Sequence, residues 1–269
     1  MTSRGRAFGV FVAAMVCFGL NVAPITAAEM SRGEVEGLLA QASRDAPPDL
    51  SGRDLSGLDL SGLDFKSGNL RGANLQGAKL SGANLQGVEL QKANLEGADL
   101  ADAVLDVAIL RGANLKGANL SGTSAFSAVL AETDLRDADL SGARLVCNLE
   151  RADLTGANLQ GAQMNADMKN QPMGLMRVSL RKALLRGANL EGANLARGML
   201  EYADFTGANL TGANLMGVEA GAADFSGADL TGANLRKADV QDARFLGIKG
   251  RDTILGLETA KNLKSALFD

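Results

Sequence analysis

Histidine and tryptophan are absent from the 269 residues, tyrosine occurs once, and aromatics make up only 4% of the chain. Without histidine there is no imidazole base for a nucleophilic triad, and the commonest metal ligand is missing. Carboxylate chemistry stays open, but no pair of acids stands at a recognisable acid–base spacing. With so few rings, Leu, Ala and the 33 glycines carry the composition, as a narrow repeat core requires. Cysteine is limited to Cys17 and Cys147. The one long apolar run, residues 7–20, is short for crossing about 30 Å of hydrocarbon.

That run has the makings of an export signal. Arg4 and Arg6 precede it, and Pro24 and the small residues Thr26, Ala27 and Ala28 follow. Basic, apolar and small in that order is the secretory pattern, with cleavage expected after Ala28. An uncleaved anchor and a buried helix are the competing readings. Val16 before Cys17 is too bulky for a typical lipoprotein signal. Cleavage removes two arginines and no acid, so the net charge moves from −4 to −6. A mildly acidic chain disfavours nucleic acid as a partner. Cys147 would then be the only cysteine, no internal disulfide could form, and stability must come from packing.

What the sequence does have is a period of five. The stretch RGANLQGAKLSGANLQGVEL, from residue 71 to residue 90, shows it best. On a helix, leucines five apart fall about 140° from one another and make no stripe. On a continuous strand they alternate between opposite faces. A single pentad is coherent. In Ala73-Asn74-Leu75 an extended backbone puts Ala and Leu on one side and Asn on the other. Leu75-Gln76-Gly77-Ala78 then places Gly third in a turn that needs a positive φ. Each pentad is a short side plus a corner. With corners of roughly 90°, four pentads close a square coil of about twenty residues, stacked at roughly 4.8 Å with leucines inside. Phe205, Phe225 and Phe245 occupy Leu positions at intervals of twenty, so their rings are expected to stack.

This tandem A-(N/D)-L-x-G pattern, running from about residue 50 to residue 245, resembles the pentapeptide-repeat family. The resemblance implies an all-β solenoid, a right-handed quadrilateral parallel β-helix, and it alone supplies the handedness. The residues add helical caps at both ends. Ser31 and Glu34 fit a capping box, with Val35, Leu38, Leu39 and Ala42 at helical spacing before Pro47. Near the other end Leu257, Ala260, Leu263 and Leu267 are spaced for a second helix. The expected order is a signal at 1–28, a cap helix and linker at 29–48, repeats at 49–164, a protruding loop at 165–179, repeats at 180–246 and a cap at 247–269. About ten coils make a rod roughly 50 Å long.

A regular rod is functionally silent, so departures from the repeat are the candidate sites. Val104, Ile109 and Val129 place apolar side chains in the outward position, and Ile109 and Val129 are twenty apart. They form a candidate docking patch, against a background of ordinary scattered surface apolarity. At Cys147 one residue is missing from the frame. The interruption at 165–179 carries Met168, Met173 and Met176, with Pro172 and Gly174. Those methionines are read three ways: a Cu(I) site, an adaptable partner surface, or cover for neighbouring apolar surface. Asp204 with Asp224, and Glu219 with Asp239, are like charges twenty apart. They read as a solvated acidic face or a site for Ca²⁺ or a cationic partner.

No cofactor is expected, and no membrane span once the signal is removed. The leading function is a non-enzymatic scaffold that binds a protein in the cell envelope, periplasmic or extracellular. The alternative, implied by the resemblance, is a cytoplasmic DNA mimic that binds a type II topoisomerase, usually as a dimer. The mild charge and the export signal both depart from that role. The inside–outside assignment is testable: Ala118→Leu overpacks the interior and should lower the melting temperature more than Asn119→Ser, as read by circular-dichroism melts.

Overall fold

The structure is a computed structural model that describes residues 30–43, 45–166 and 176–269. The expected signal, residues 1–28, lies outside the described residues, as do Met168 and Met173.

The pentads fold as their chemistry requires. In the corner that begins at Leu75, Gly77 has φ +62° and the Ala78 N–H donates back to the Leu75 carbonyl at 3.0 Å. The other backbone groups bond to the coils above and below. Leu75 N–H donates to the Asn94 carbonyl at 2.6 Å, Gly77 N–H to the Glu96 carbonyl at 2.9 Å, and Asn74 N–H to the Arg53 carbonyl at 2.9 Å. Each coil therefore contributes one parallel rung per side, to four sides in all. Side A runs through Asn69, Ile109 and Met199; side B through Asn74, Asp134 and Asp204; side C through Lys79, Asn119 and Asn209; side D through Asn84, Val104 and Asn214. Side A has eleven rungs, from Asp49 to Lys261, so the rod is about 50 Å long at the usual strand spacing.

The repeat's own Leu and Ala, such as Ala73 and Leu75, point inward along every side and are almost without exposure. Each buried Leu is worth roughly 1.5–3 kcal/mol relative to exposure. Phe205, Phe225 and Phe245 stack as expected, with centroids 4.9 and 5.0 Å apart and rings within 6° of parallel. Outside, asparagines form a second ladder. Asn114 donates its amide to Asn94, Asn94 to Asn74, and Asn74 to Asp54, at 3.0, 3.1 and 2.9 Å. The same oxygens accept a backbone N–H two residues on, as Gln76 N–H shows at 3.3 Å from Asn74 Oδ1. Asp54 can start such a column because the bottom residue needs only to accept.

Volume is conserved along the columns too. On side A the small inward position holds Pro48, Gly68 and Val88 in successive coils, and later Val178, Gly198 and Val218. A Cβ on Gly68 would lie 2.8 Å from Pro48 Cγ, and one on Gly198 would lie 2.8 Å from Val178 Cγ1. Glycine accommodates the bulky residue beneath it.

Helix α1, Arg32–Gln41, covers the first coil. Ser31 and Glu34 form the expected capping box, and Val35 and Leu39 are buried. Leu38 departs from expectation: it is 40% exposed. Arg32 Nη1 donates to the Asp59 carbonyl at 2.8 Å at one end of the helix. At the other end Lys66 Nζ donates to the Leu39 carbonyl, also at 2.8 Å.

The expected C-terminal helix is replaced by a further coil. It contains three single 3-10 turns, Arg251–Thr253, Leu257–Thr259 and Leu263–Ser265, each preceded by a left-handed residue. The unit here is six residues long. Six is twice the helical i, i+3 step, so Leu257 with Leu263 and Ala260 with Ala266 mimic a helix. In the coil beneath, the N–H groups of Gly232, Lys237, Asp242 and Gly247 no longer meet carbonyls. They bond Thr253 Oγ1, Thr259 Oγ1, Ser265 Oγ and the Asp269 carboxylate at 2.9, 3.2, 3.0 and 2.7 Å. This coil also holds β2, Leu267–Phe268, paired in parallel with β1, Arg244–Phe245. Phe268 thereby extends the ring stack, 4.9 Å above Phe245.

Gly198→Ala should cost about 1–3 kcal/mol through overpacking against Val178 and the Leu195 carbonyl, which would lie 2.8 and 3.0 Å from the new Cβ, and Val178→Ala in the same chain should recover the part due to Val178. Denaturant melts of the two single variants and the double variant measure this coupling, and additive losses would refute it.

Candidate functional site

The two irregularities of the repeat fall on one edge of the rod, between sides D and A. Rungs are twenty apart up to side A's Ile109–Val129 pair, then nineteen apart at Val129–Asn148, and thirty-one apart at Asn148–Ser179. The missing residue shortens the corner at Val146, and the added ones enter at the same corner one coil later. Each of the four columns resumes across the insertion, with Gln163 pairing with Asn194 and Asn148 with Ser179. Phe65, beside Asp64 on side D, therefore lies on a different side from Phe205.

The sequence-derived apolar patch takes shape around this edge. Ile109 and Val129 are direct rung neighbours on side A, while Val104 lies on side D. Val107 stands between them at the corner, 49% exposed, with φ +54° in a conformation β-branched residues avoid. Further along, Val129, Val146, Met176 and Met199 line a groove of about 380 Å³ with Glu150, Arg177 and Arg181 on its walls. Phe126 lies half-buried at the corner beneath it, under the Arg144 guanidinium at 4.7 Å from the ring centroid, and Met216 lies half-buried at the corner above. Sequence reasoning missed Phe126, Val146, Met199 and Met216. The signal for Met199 was available, since it fills the outward slot of Gly198-Met199-Leu200; outward Leu184 on side B was missed in the same way. The others occupy corner positions, where the repeat carries no apolar expectation to violate.

Cys147 reaches the groove lining but belongs to the core, 4% exposed, and burial pushes its thiol up to about 12. Such a thiol is protonated and inert at neutral pH. Among the described residues no group of three or more Cys, Asp or Glu side chains is arranged to hold a metal ion.

The acidic pairs fall on two sides. Asp204 and Asp224 are rung neighbours on side B, and Glu219 and Asp239 on side A. All four have partners. Arg186 bonds Asp204 at 2.5 Å, Arg244 reaches Asp224 at 3.4 Å, Arg177 makes two bonds to Glu219 at 2.6 and 3.2 Å, and Asn262 donates to Asp239 at 2.8 Å. Burial raises the Asp204 carboxyl, but hydrogen bonds from Thr206 and Arg186 outweigh it and hold the group below its ordinary value. Hydrogen bonds from Ser51, Ser56 and Ser61 do the same for Asp49, Asp54 and Asp59.

A parallel, four-sided solenoid with one rung per side per coil defines a class of repeat protein, and comparison with known proteins agrees. A model of pentapeptide repeats matches in eight copies, over residues 49–145, 147–166 and 175–247. The chain belongs to the pentapeptide-repeat family. Among solved structures it is similar to HetL, a pentapeptide repeat protein involved in heterocyst differentiation regulation from the cyanobacterium Nostoc sp. strain PCC 7120. The identity is 29%, with 88% of this chain and 94% of HetL covered and a TM-score of 0.60. QnrB1, a plasmid-mediated fluoroquinolone resistance protein, matches at 18% identity over 80% of this chain and 89% of its own, with a TM-score of 0.31. A pentapeptide repeat protein of the Arabidopsis thaliana thylakoid lumen matches at 30% identity over 49% of this chain and 71% of its own, with a TM-score of 0.19. No curated protein matches the chain.

The lowered carboxyls fix a pH dependence. Each folded-state value lies below the unfolded one, so the stabilisation is complete above the unfolded value and is lost as pH falls through the folded one. The melting temperature should hold steady from pH 7 to about 5 and fall below about 4. Asp49, Asp54 and Asp59 replaced together by Asn should flatten that fall, because Asn still accepts the Ser N–H. An unchanged acid limb would exclude these turns as its source.

Proposed function

We propose that this protein is a non-enzymatic scaffold that binds another protein along the edge between sides D and A, in the cell envelope. One observation carries the reading. Most apolar side chains that break the repeat gather on one edge, beside both register changes, with Leu184 on side B and Tyr202 at the corner between sides A and B the exceptions, while the Asn and Asp ladders elsewhere are satisfied within the rod. Half-buried Phe and Met at such a place suit a protein contact. A rigid rod supports it because the coils fix the spacing of every edge residue. The basic, apolar and small order of residues 1–28 supports export. The DNA-mimic alternative gains nothing from the geometry, since Arg177, Arg186 and Arg244 interrupt the acidic rows that it needs.

Photo-crosslinking in intact cells tests the reading. A benzophenone amino acid at Val129 or Met216 should yield a discrete adduct with another protein, and one at Asn209 on side C should not. Adducts at neither position, or equally at all three, would overturn it. Fractionation with N-terminal sequencing should find the protein in the envelope, beginning at Glu29. A full-length cytoplasmic product would remove the envelope part of the proposal.

A further inference from the structure

The edge between sides D and A also has a charge pattern that narrows the partner. From Met176 to Lys237 its corner residues include Arg177, Arg197, Arg236 and Lys237, and no acid. Arg177 is taken by Glu219. Arg197, Arg236 and Lys237 are exposed and make no salt bridge among the described residues. The Arg197 stem lies along the rod, with its Cγ 3.7 Å from where a Gly217 Cβ would stand. A chain of net charge −4 thus keeps an uncompensated basic run on the same edge as its apolar groove.

The geometry points to an amphipathic helix of a partner protein, apolar on one face and acidic beside it, lying along this edge. The inference rests on the scaffold reading and names the partner's chemistry. Coils repeat at about 4.8 Å and helix turns at about 5.4 Å, so successive turns meet the successive corners from Arg197 to Lys237. The shortened corner at Val146 leaves the recess, between Val129 and Met199, into which an apolar anchor fits. Arg197, Arg236 and Lys237 then face the helix's carboxylates. Three cations without a salt bridge among the described residues favour acidic segments and repel basic ones.

Three labelled peptides of about eighteen residues decide it by fluorescence anisotropy on the full-length protein. One has Leu at i, i+3, i+4 and i+7 with Glu elsewhere. The second replaces Glu with Lys, and the third scrambles the Leu order. The first should bind at least about tenfold more tightly than the others. Met199→Ser should weaken it several-fold, and R197E with K237E should weaken it about tenfold and reverse the preference towards the Lys peptide. Circular-dichroism melts confirm that the variants fold, and the reversed preference is a gain that misfolding cannot produce. No binding, equal binding of Glu and Lys peptides, or indifference to the variants would overturn the inference. So would a dimer in sedimentation that the same variants dissociate, or phosphatidylglycerol vesicles binding through these residues in place of the peptide. A cross-linked protein adduct together with indifferent peptides would keep the scaffold and remove only the acidic helix.

Discussion

Everything in this molecule depends on the backbone bonds between coils. Leu75 N–H to Asn94 carbonyl and Asn74 N–H to Arg53 carbonyl are repeated nearly everywhere along the rod, and they hold equivalent residues one strand spacing apart. A side chain's principal neighbours are therefore its counterparts one coil below and one above. Chemistry that works in a column is repeated, and chemistry that does not must be compensated in the next coil. Asn works because it donates and accepts in the same direction. Phe works because rings can stack. Val178 works only because Gly198 follows it.

The same dependence makes the ends demanding. A coil with nothing beyond it would present open backbone groups and leucines to water. At one end α1 covers the leucines and is held by Arg32 and Lys66. At the other the unit lengthens from five to six residues, and hydroxyls of Thr253, Thr259 and Ser265 take N–H groups that had been bonding carbonyls. The two ends solve one problem with different chemistry, a helix laid across the core and a modified coil continuing it.

Function, on this view, occupies what the ladder leaves free. Before the C-terminal coil, three of the edges turn through ordinary pentad corners, whereas the edge between sides D and A absorbs a deletion and an insertion in consecutive coils. Those irregularities recess one corner and surround it with Val, Met and Arg side chains. The acidic rows that looked like a candidate face are instead part of the rod's own bonding, each carboxylate held by an arginine or an asparagine.

The sequence by itself determined the square coil, the inward Ala and Leu, the Phe205–Phe225–Phe245 stack and the capping box, because each follows from spacing within an unbroken frame. Ile109 beside Val129 was legible for the same reason. Only the tertiary structure decided which side resumes after the insertion, that Phe205 and Phe65 lie on different sides, and that Val129, Val146, Met176 and Met199 meet. Counting by twenty loses its meaning once a corner gains or loses residues, and only backbone pairing restores the register. The C-terminal coil escaped for a related reason. A period of six fits the apolar positions of a helix, and what distinguishes the two is where the hydroxyls find their N–H partners, one coil away in space.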